Sequence, residues 1–135
     1  MAEGKVLTGA GLRGQVAGKT ALSTVGKSGA GLTYRGYDVQ DLAENCQFEE
    51  VAYLIFFGEL PTAAQLTAYK AKLKSLRQLP QALKEVLERI PADSHPMDVM
   101  RTGVSMLGNL ETEQSFAEQQ DVADRILATL PAIIC

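Results

Sequence analysis

The chain has 135 residues, 46% apolar and 21% charged, with a formal net charge of −3. That length suits one domain or part of one, and folding at this size removes roughly two thirds of the unfolded surface from water. The acidic balance gives no basis for phosphate binding, no run approaches the ~20 apolar residues that span a bilayer, and no apolar leader follows Lys5, so neither nucleic acid nor a membrane is an expected partner.

Glycines at 4, 9, 11, 14 and 18 crowd the start without a sustained apolar period, so residues 1–19 read as a flexible arm. Two β-capable runs, Thr20–Val25 and Gly31–Arg35, flank the loop Gly26-Lys27-Ser28-Gly29-Ala30 and spell a β-hairpin over 21–35. This is expected to be the only β structure, with no third strand. Everything after Asp38 has helical spacing. Asp38 is an N-cap for a short helix ending near Asn45. Phe48–Phe57 forms the second helix, with Glu49 and Glu50 in its first turn, Gly58 as its left-handed stop, and a second half apolar enough to be almost fully buried.

Pro61 and Thr62 open a third helix with Leu66, Tyr69, Leu73 and Leu76 on its inner face. The basic residues Lys70, Lys72, Lys74 and Arg77 read as its solvated side. Pro80 falls in the first turn of a fourth helix carrying Leu83, Val86, Leu87 and Ile90, which Pro91 ends. Ser94 is the expected N-cap of a fifth helix, with Pro96 in its first turn and Gly103 and Gly108 in its body. Glu111–Glu118 is a polar loop, and a sixth helix runs from near Gln119 to Ile134, with a possible kink at Pro131. The connections are short, so consecutive helices are expected to be neighbours. The apolar end Ala132-Ile133-Ile134-Cys135 has no cap or polar tail and reads as a cut through a longer domain.

Chemistry is sparse. Gly18-Lys19-Thr20 and Gly26-Lys27-Ser28 lack the upstream glycine of a phosphate loop, because Arg13 and Ala21 stand there. Gly9-Ala10-Gly11-Leu12-Arg13-Gly14 has the letters of a dinucleotide fingerprint without the strand before or the helix after it. Glu49-Glu50 reads as a dipole-favoured pair rather than an acid–base couple. Cys46 and Cys135 read as two reduced thiols, which fits a cytoplasmic protein, and with one histidine and no ligand spacing no metal is expected. His95 is weighed as a structural helix-start residue against a substrate contact. Arg35 and Arg101 are weighed as ion-pair residues against carboxylate-binding forks.

Three stretches carry a resemblance: Thr20–Gly29 with Leu32–Val39, including Tyr34-Arg35-Gly36-Tyr37; Phe48–Leu54 with Gly58-Glu59-Leu60-Pro61-Thr62; and Ser94-His95-Pro96-Met97-Asp98-Val99-Met100-Arg101-Thr102-Gly103. In this order and spacing they resemble the start of citrate synthases, most of all the 2-methylcitrate branch. The resemblance covers residues 20–135 and implies the N-terminal part of an almost all-α large domain, with one small β-hairpin. It also implies a homodimeric enzyme that condenses an acyl-CoA, propionyl-CoA or acetyl-CoA, with oxaloacetate. In the family an aspartate base and histidines form the enol of the thioester, which attacks the ketone before the thioester is hydrolysed. Those groups, with the arginines for the dicarboxylate and the CoA-binding segment, match positions beyond Cys135. His95 matches a helix-start string and not a catalytic histidine. No catalytic or substrate-binding residue is therefore assigned here, no cofactor is expected, and the 135-residue chain is expected to be inactive alone. A citrate synthase proper and a non-enzymatic helical dimerisation module are the alternatives.

The fifth helix carries more apolar surface than one stripe can hold: Met97, Val99, Met100, Val104, Met106 and Leu107, with Gly103, Ser105 and Gly108 small enough to admit another helix. In the family the equivalent helix lies between subunits. Residues 97–110 are accordingly expected to line a homodimer interface.

Overall fold

The helices form where local chemistry starts and stops them. The computed structural model describes residues 11, 16, 18–26 and 31–135. The arm at 1–19, the hairpin loop at 27–30 and the Gly9–Gly14 string fall largely or wholly outside the described residues. Strands β1 (Ser23–Val25) and β2 (Leu32–Tyr34) pair antiparallel, with Thr24 opposite Thr33 and their hydroxyls 2.5 Å apart.

A third strand, β3 (Tyr37–Asp38), extends this hairpin, so the expectation of two strands alone is corrected. The cause is the turn at Arg35 and Gly36. Both have positive φ, 49° and 92°, the combination that matches a tight hairpin to strand twist. A predominantly helical chain with a small antiparallel sheet, β1-β2-β3, is the result.

Asp38 then caps α1 (Val39–Asn45), its carboxylate accepting from the Gln40 N–H at 2.7 Å. Helix α2 (Phe48–Phe57) starts with the Glu50 carboxylate accepting from the Gln47 N–H and ends at Gly58, φ 91°. Thr62 and Gln65 form a reciprocal capping box on α3 (Ala63–Ser75). Pro80 is the N-cap of α4 (Gln81–Leu87), one position earlier than expected, and that helix ends before Ile90 in a looser turn. Helix α5 runs from Pro96 to Leu110 and α6 from Gln119 to Ile134, preceded by a 3₁₀ turn at Phe116–Glu118. Pro131 lies inside α6.

Helix α6 is the centre of the packing. Its Ala128 joins Ala52 of α2 and Tyr69 and Leu73 of α3 in one core. Its Ile133 joins Leu83 of α4 and Leu107 of α5 in a second. Sequence neighbours α2–α3, α4–α5 and α5–α6 pack together, and α3 also packs on α6 across two intervening helices. Tyr53, Phe57 and Tyr69 form an aromatic group, with Tyr69 edge-on to the other two rings at 5.5 and 6.0 Å. The second half of α2 is less buried than its composition suggests. Leu54 is covered, but Phe56 and Phe57 remain exposed, because the core contacts of α2 lie on its α3–α6 side.

Candidate functional site

The residues singled out in the sequence do not converge. His95, not Ser94, is the N-cap of α5: its Nδ1 accepts from the Met97 N–H at 3.1 Å, which satisfies a donor the helix itself cannot. Among the described residues Arg35 makes no carboxylate pair. Its Nη2 and Nε donate to the Ile55 carbonyl at 2.7 and 3.3 Å, tying the sheet to the last turn of α2, where carbonyls lack helical partners. Arg101 pairs with Asp98 one turn back at 3.0 Å, on the exposed side of α5. Cys46 is half-buried, Cys135 is exposed, and both are free. Among the described residues no group of His, Cys, Asp and Glu has the arrangement to hold a metal ion.

The richest polar constellation escaped the sequence reading. Asp124 of α6 is fully buried. Its Oδ1 accepts from the Tyr69 hydroxyl at 2.9 Å and from Gln120 Nε2 at 3.3 Å, and its Oδ2 accepts from Lys72 Nζ at 2.7 Å. Lys72 also meets Asp121, one turn earlier on α6, at 2.7 Å. Lys72 is therefore not merely one of the solvated lysines of α3, since it neutralises a buried carboxylate. Its ammonium is held above the usual lysine range by the hydrogen bond to Asp121 and then by that to Asp124. Burial, then the hydrogen bond and charge of Asp124, push the Tyr69 phenol upward, so it stays a neutral donor. Every polar atom of this cluster is satisfied, which makes it a clamp between α3 and α6 rather than a reacting group. The i, i+3 spacing of Asp121 and Asp124 was the available signal, since it puts both acids on one helix face.

A second clamp closes the α5–α6 loop. Arg125 donates from Nη2 to Glu111 Oε1 at 2.6 Å and from Nε to Glu111 Oε2 at 2.8 Å, a two-bond fork. Its Nη1 donates to the carbonyls of Leu76 and Gln78. The hydrogen bonds from Arg125 hold the Glu111 carboxyl below its usual range, outweighing the opposing effect of burial. Beside this fork, α5, α6 and their loop enclose a groove of about 540 Å³.

The expected interface helix is turned inward at its centre. Gly103 is buried, and a Cβ placed there would lie 2.5 Å from Ile133 Cγ2. The helix that Gly103 admits is thus α6 of the same chain. Leu107 is also buried, while Val99, Val104 and Met106 are half-buried and pack around the α4–α5–α6 core. Met100 is half-buried and Met97 is exposed.

Comparison with known proteins places this architecture. The family described as citrate synthase, C-terminal domain, matches residues 11–135. The chain is 77% identical over 135 residues to the 2-methylcitrate synthase of Shewanella oneidensis, covering 100% of this chain and 36% of that protein. It is 43% identical over 127 residues to the citrate synthase of Mycolicibacterium smegmatis, covering 92% of this chain and 34% of that protein. A solved ternary complex of carboxymethyl coenzyme A and oxaloacetate with the citrate synthase of Thermoplasma acidophilum superimposes with a TM-score of 0.82 at 28% identity, covering 91% of this chain and 33% of that one. The chain thus spans about a third of the length of the relatives it matches. Its helices, its small sheet and its sequence agree on one conclusion: the chain belongs to the citrate synthase family.

Proposed function

We propose that these 135 residues are the N-terminal part of a 2-methylcitrate synthase. The intact enzyme condenses propionyl-CoA with oxaloacetate and water, giving 2-methylcitrate and CoA. The observation that carries this reading is the 77% identity to a 2-methylcitrate synthase over the whole chain. In this reading the enolising acid and base, and the groups that hold the dicarboxylate and CoA, lie outside this segment. The local chemistry supports that division. His95 is engaged as a helix cap, Asp124 and Lys72 as a clamp, and Glu111 and Arg125 as a loop anchor. The enzyme works in the cytoplasm and requires no cofactor beyond its acyl-CoA substrate. It is a homodimer through the helix at 97–110, where Met97 and Met100 are better placed to meet a partner than the buried Gly103 and Leu107.

The test is CoA release by the full-length protein with oxaloacetate and either propionyl-CoA or acetyl-CoA. A higher kcat/KM for propionyl-CoA is expected. Preference for acetyl-CoA would instead make the protein a citrate synthase proper, the reading favoured by the 43% identical relative. No turnover with either would favour a non-enzymatic module. The isolated 135-residue chain should release no CoA, and measurable turnover by it would place the chemistry inside this segment after all.

A further inference from the structure

Helix α6 meets α3 with small and acidic side chains, where a helix contact ordinarily carries large apolar ones. The side turned to α3 holds Asp121, Asp124 and Ala128, and Pro131 and Ala132 border the cleft beside Leu73. Leu127 flanks this side and is only half-buried. From α3 come Tyr69 and Leu73, 5% and 3% exposed, which pack with Ala128. Two helices hold one register when large side chains of each enter gaps between those of the other. Ala128 offers a shallow surface, so the apolar contact alone does little to oppose a slide of α3 along α6.

The polar bonds at the same place are directional. Asp124 has no exposed surface, and it accepts from the Tyr69 hydroxyl at 2.9 Å and from Lys72 at 2.7 Å. A slide of one helical turn, about 5.4 Å, breaks both bonds and leaves a buried carboxylate without its partners. Asp121 lies on the same face but bonds Lys72 and not Tyr69, so it does not reproduce the pattern. Arg125 reaches the carbonyls of Leu76 and Gln78, past the end of α3, and leaves the middle of that helix to Asp124. A buried ion pair adds little net stability over an apolar contact of the same shape, because desolvation offsets the attraction, while its misplacement is strongly unfavourable. These contacts are internal to the segment, so further chain packed against it deepens their burial.

We propose that Asp124, Lys72 and Tyr69 act as a register key, which contributes little to global stability and holds α3 in a single docking on α6. Because α6 carries Ala128 in the core shared with α2 and α3 and Ile133 in the core shared with α4 and α5, the key also fixes one core relative to the other.

The test is thermal melting and amide hydrogen exchange of the full-length protein, comparing wild type, Lys72→Arg and the apolar triple variant Tyr69→Phe/Lys72→Met/Asp124→Leu. The triple variant is expected to melt at or above the wild-type temperature, yet to exchange the amides of α3 about tenfold faster or more, with those of α5 unchanged. Lys72→Arg keeps the cation and should retain wild-type exchange. A contact that merely stabilises would move melting and exchange together. A marked fall in the melting temperature of the triple variant, or its failure to fold, would therefore overturn the proposal. Unchanged exchange in α3 would show that the apolar contacts suffice, and equal acceleration in Lys72→Arg would show that the charge pairing is not the cause; either result also overturns it.

Discussion

Two glycines on one helix should respond oppositely to the same substitution. Gly103→Ala and Gly108→Ala both gain helix propensity, about 0.5–1 kcal/mol each. At Gly108 nothing among the described residues lies within 4 Å of the new methyl, so within this segment that gain should stand, a stabilisation of about that amount. At Gly103 the new carbon falls 2.5 Å from Ile133 Cγ2 and 3.3 Å from Cγ1 and Cδ1. Carbon atoms rest at roughly 3.5–4.0 Å, so the side chain or the helix must shift by about 1 Å. Ile133 is 4% exposed and stiff about its first torsion, so it cannot simply swing into solvent. Overpacking of this kind typically costs ~1–3 kcal/mol. The net effect of Gly103→Ala is therefore about 0–2 kcal/mol of destabilisation, and the two variants should differ by about 1–3 kcal/mol. Melting curves of both variants in the full-length protein, recorded side by side, provide the comparison. If Gly103→Ala melts at or above Gly108→Ala, the close α5–α6 approach is not a tight constraint and the reasoning fails.

Lys72→Met should destabilise by about 1–3 kcal/mol, since it leaves Asp124 buried without its cation; Lys72 is itself 41% exposed, which keeps the cost below that of a fully buried pair. Urea titration should show much of that loss recovered in Lys72→Met/Asp124→Leu, and an additive loss would rule out the clamp. His95→Ala should lower stability by about 1 kcal/mol through loss of the α5 cap while leaving kcat unchanged, and a collapse of kcat at intact stability would assign His95 to the chemistry. Because the folded-state pKa of Glu111 is depressed, its contribution is present above the unfolded carboxyl value and is lost as pH falls through the folded one. Glu111→Gln should therefore flatten the acid side of the stability profile, and an unaltered acid limb would show that the fork contributes nothing.

The sequence by itself determined the features whose causes lie within a few residues. Asp38, Gly58, Thr62 with Gln65, and the run of helical spacing after Asp38 act through donors and acceptors one turn away, so the helices could be located, and the β1–β2 hairpin, though not its third strand, was legible as well. The Tyr34-Arg35-Gly36-Tyr37 and His95–Arg101 strings likewise pointed to the family without any coordinates. Short-range reading went astray where two local solutions compete. Ser94 and His95 can both cap α5, and the chain uses His95; Tyr37–Asp38 can lead into α1 or pair with β2, and the positive φ values at Arg35 and Gly36 bring it back to pair.

Tertiary structure alone decided which faces meet. Lys72 and Asp124 are separated by 52 residues and Tyr69 and Asp124 by 55, and nothing in either segment names the other. Gly103 and Gly108 both read as positions for close approach, but among the described residues packing brings Ile133 against Gly103 alone and leaves Gly108 open. The physical reason is that helical periodicity fixes the direction in which a side chain points around its own axis. Which helix it then meets depends on how all the apolar faces are buried together, with α6 satisfying two cores at once.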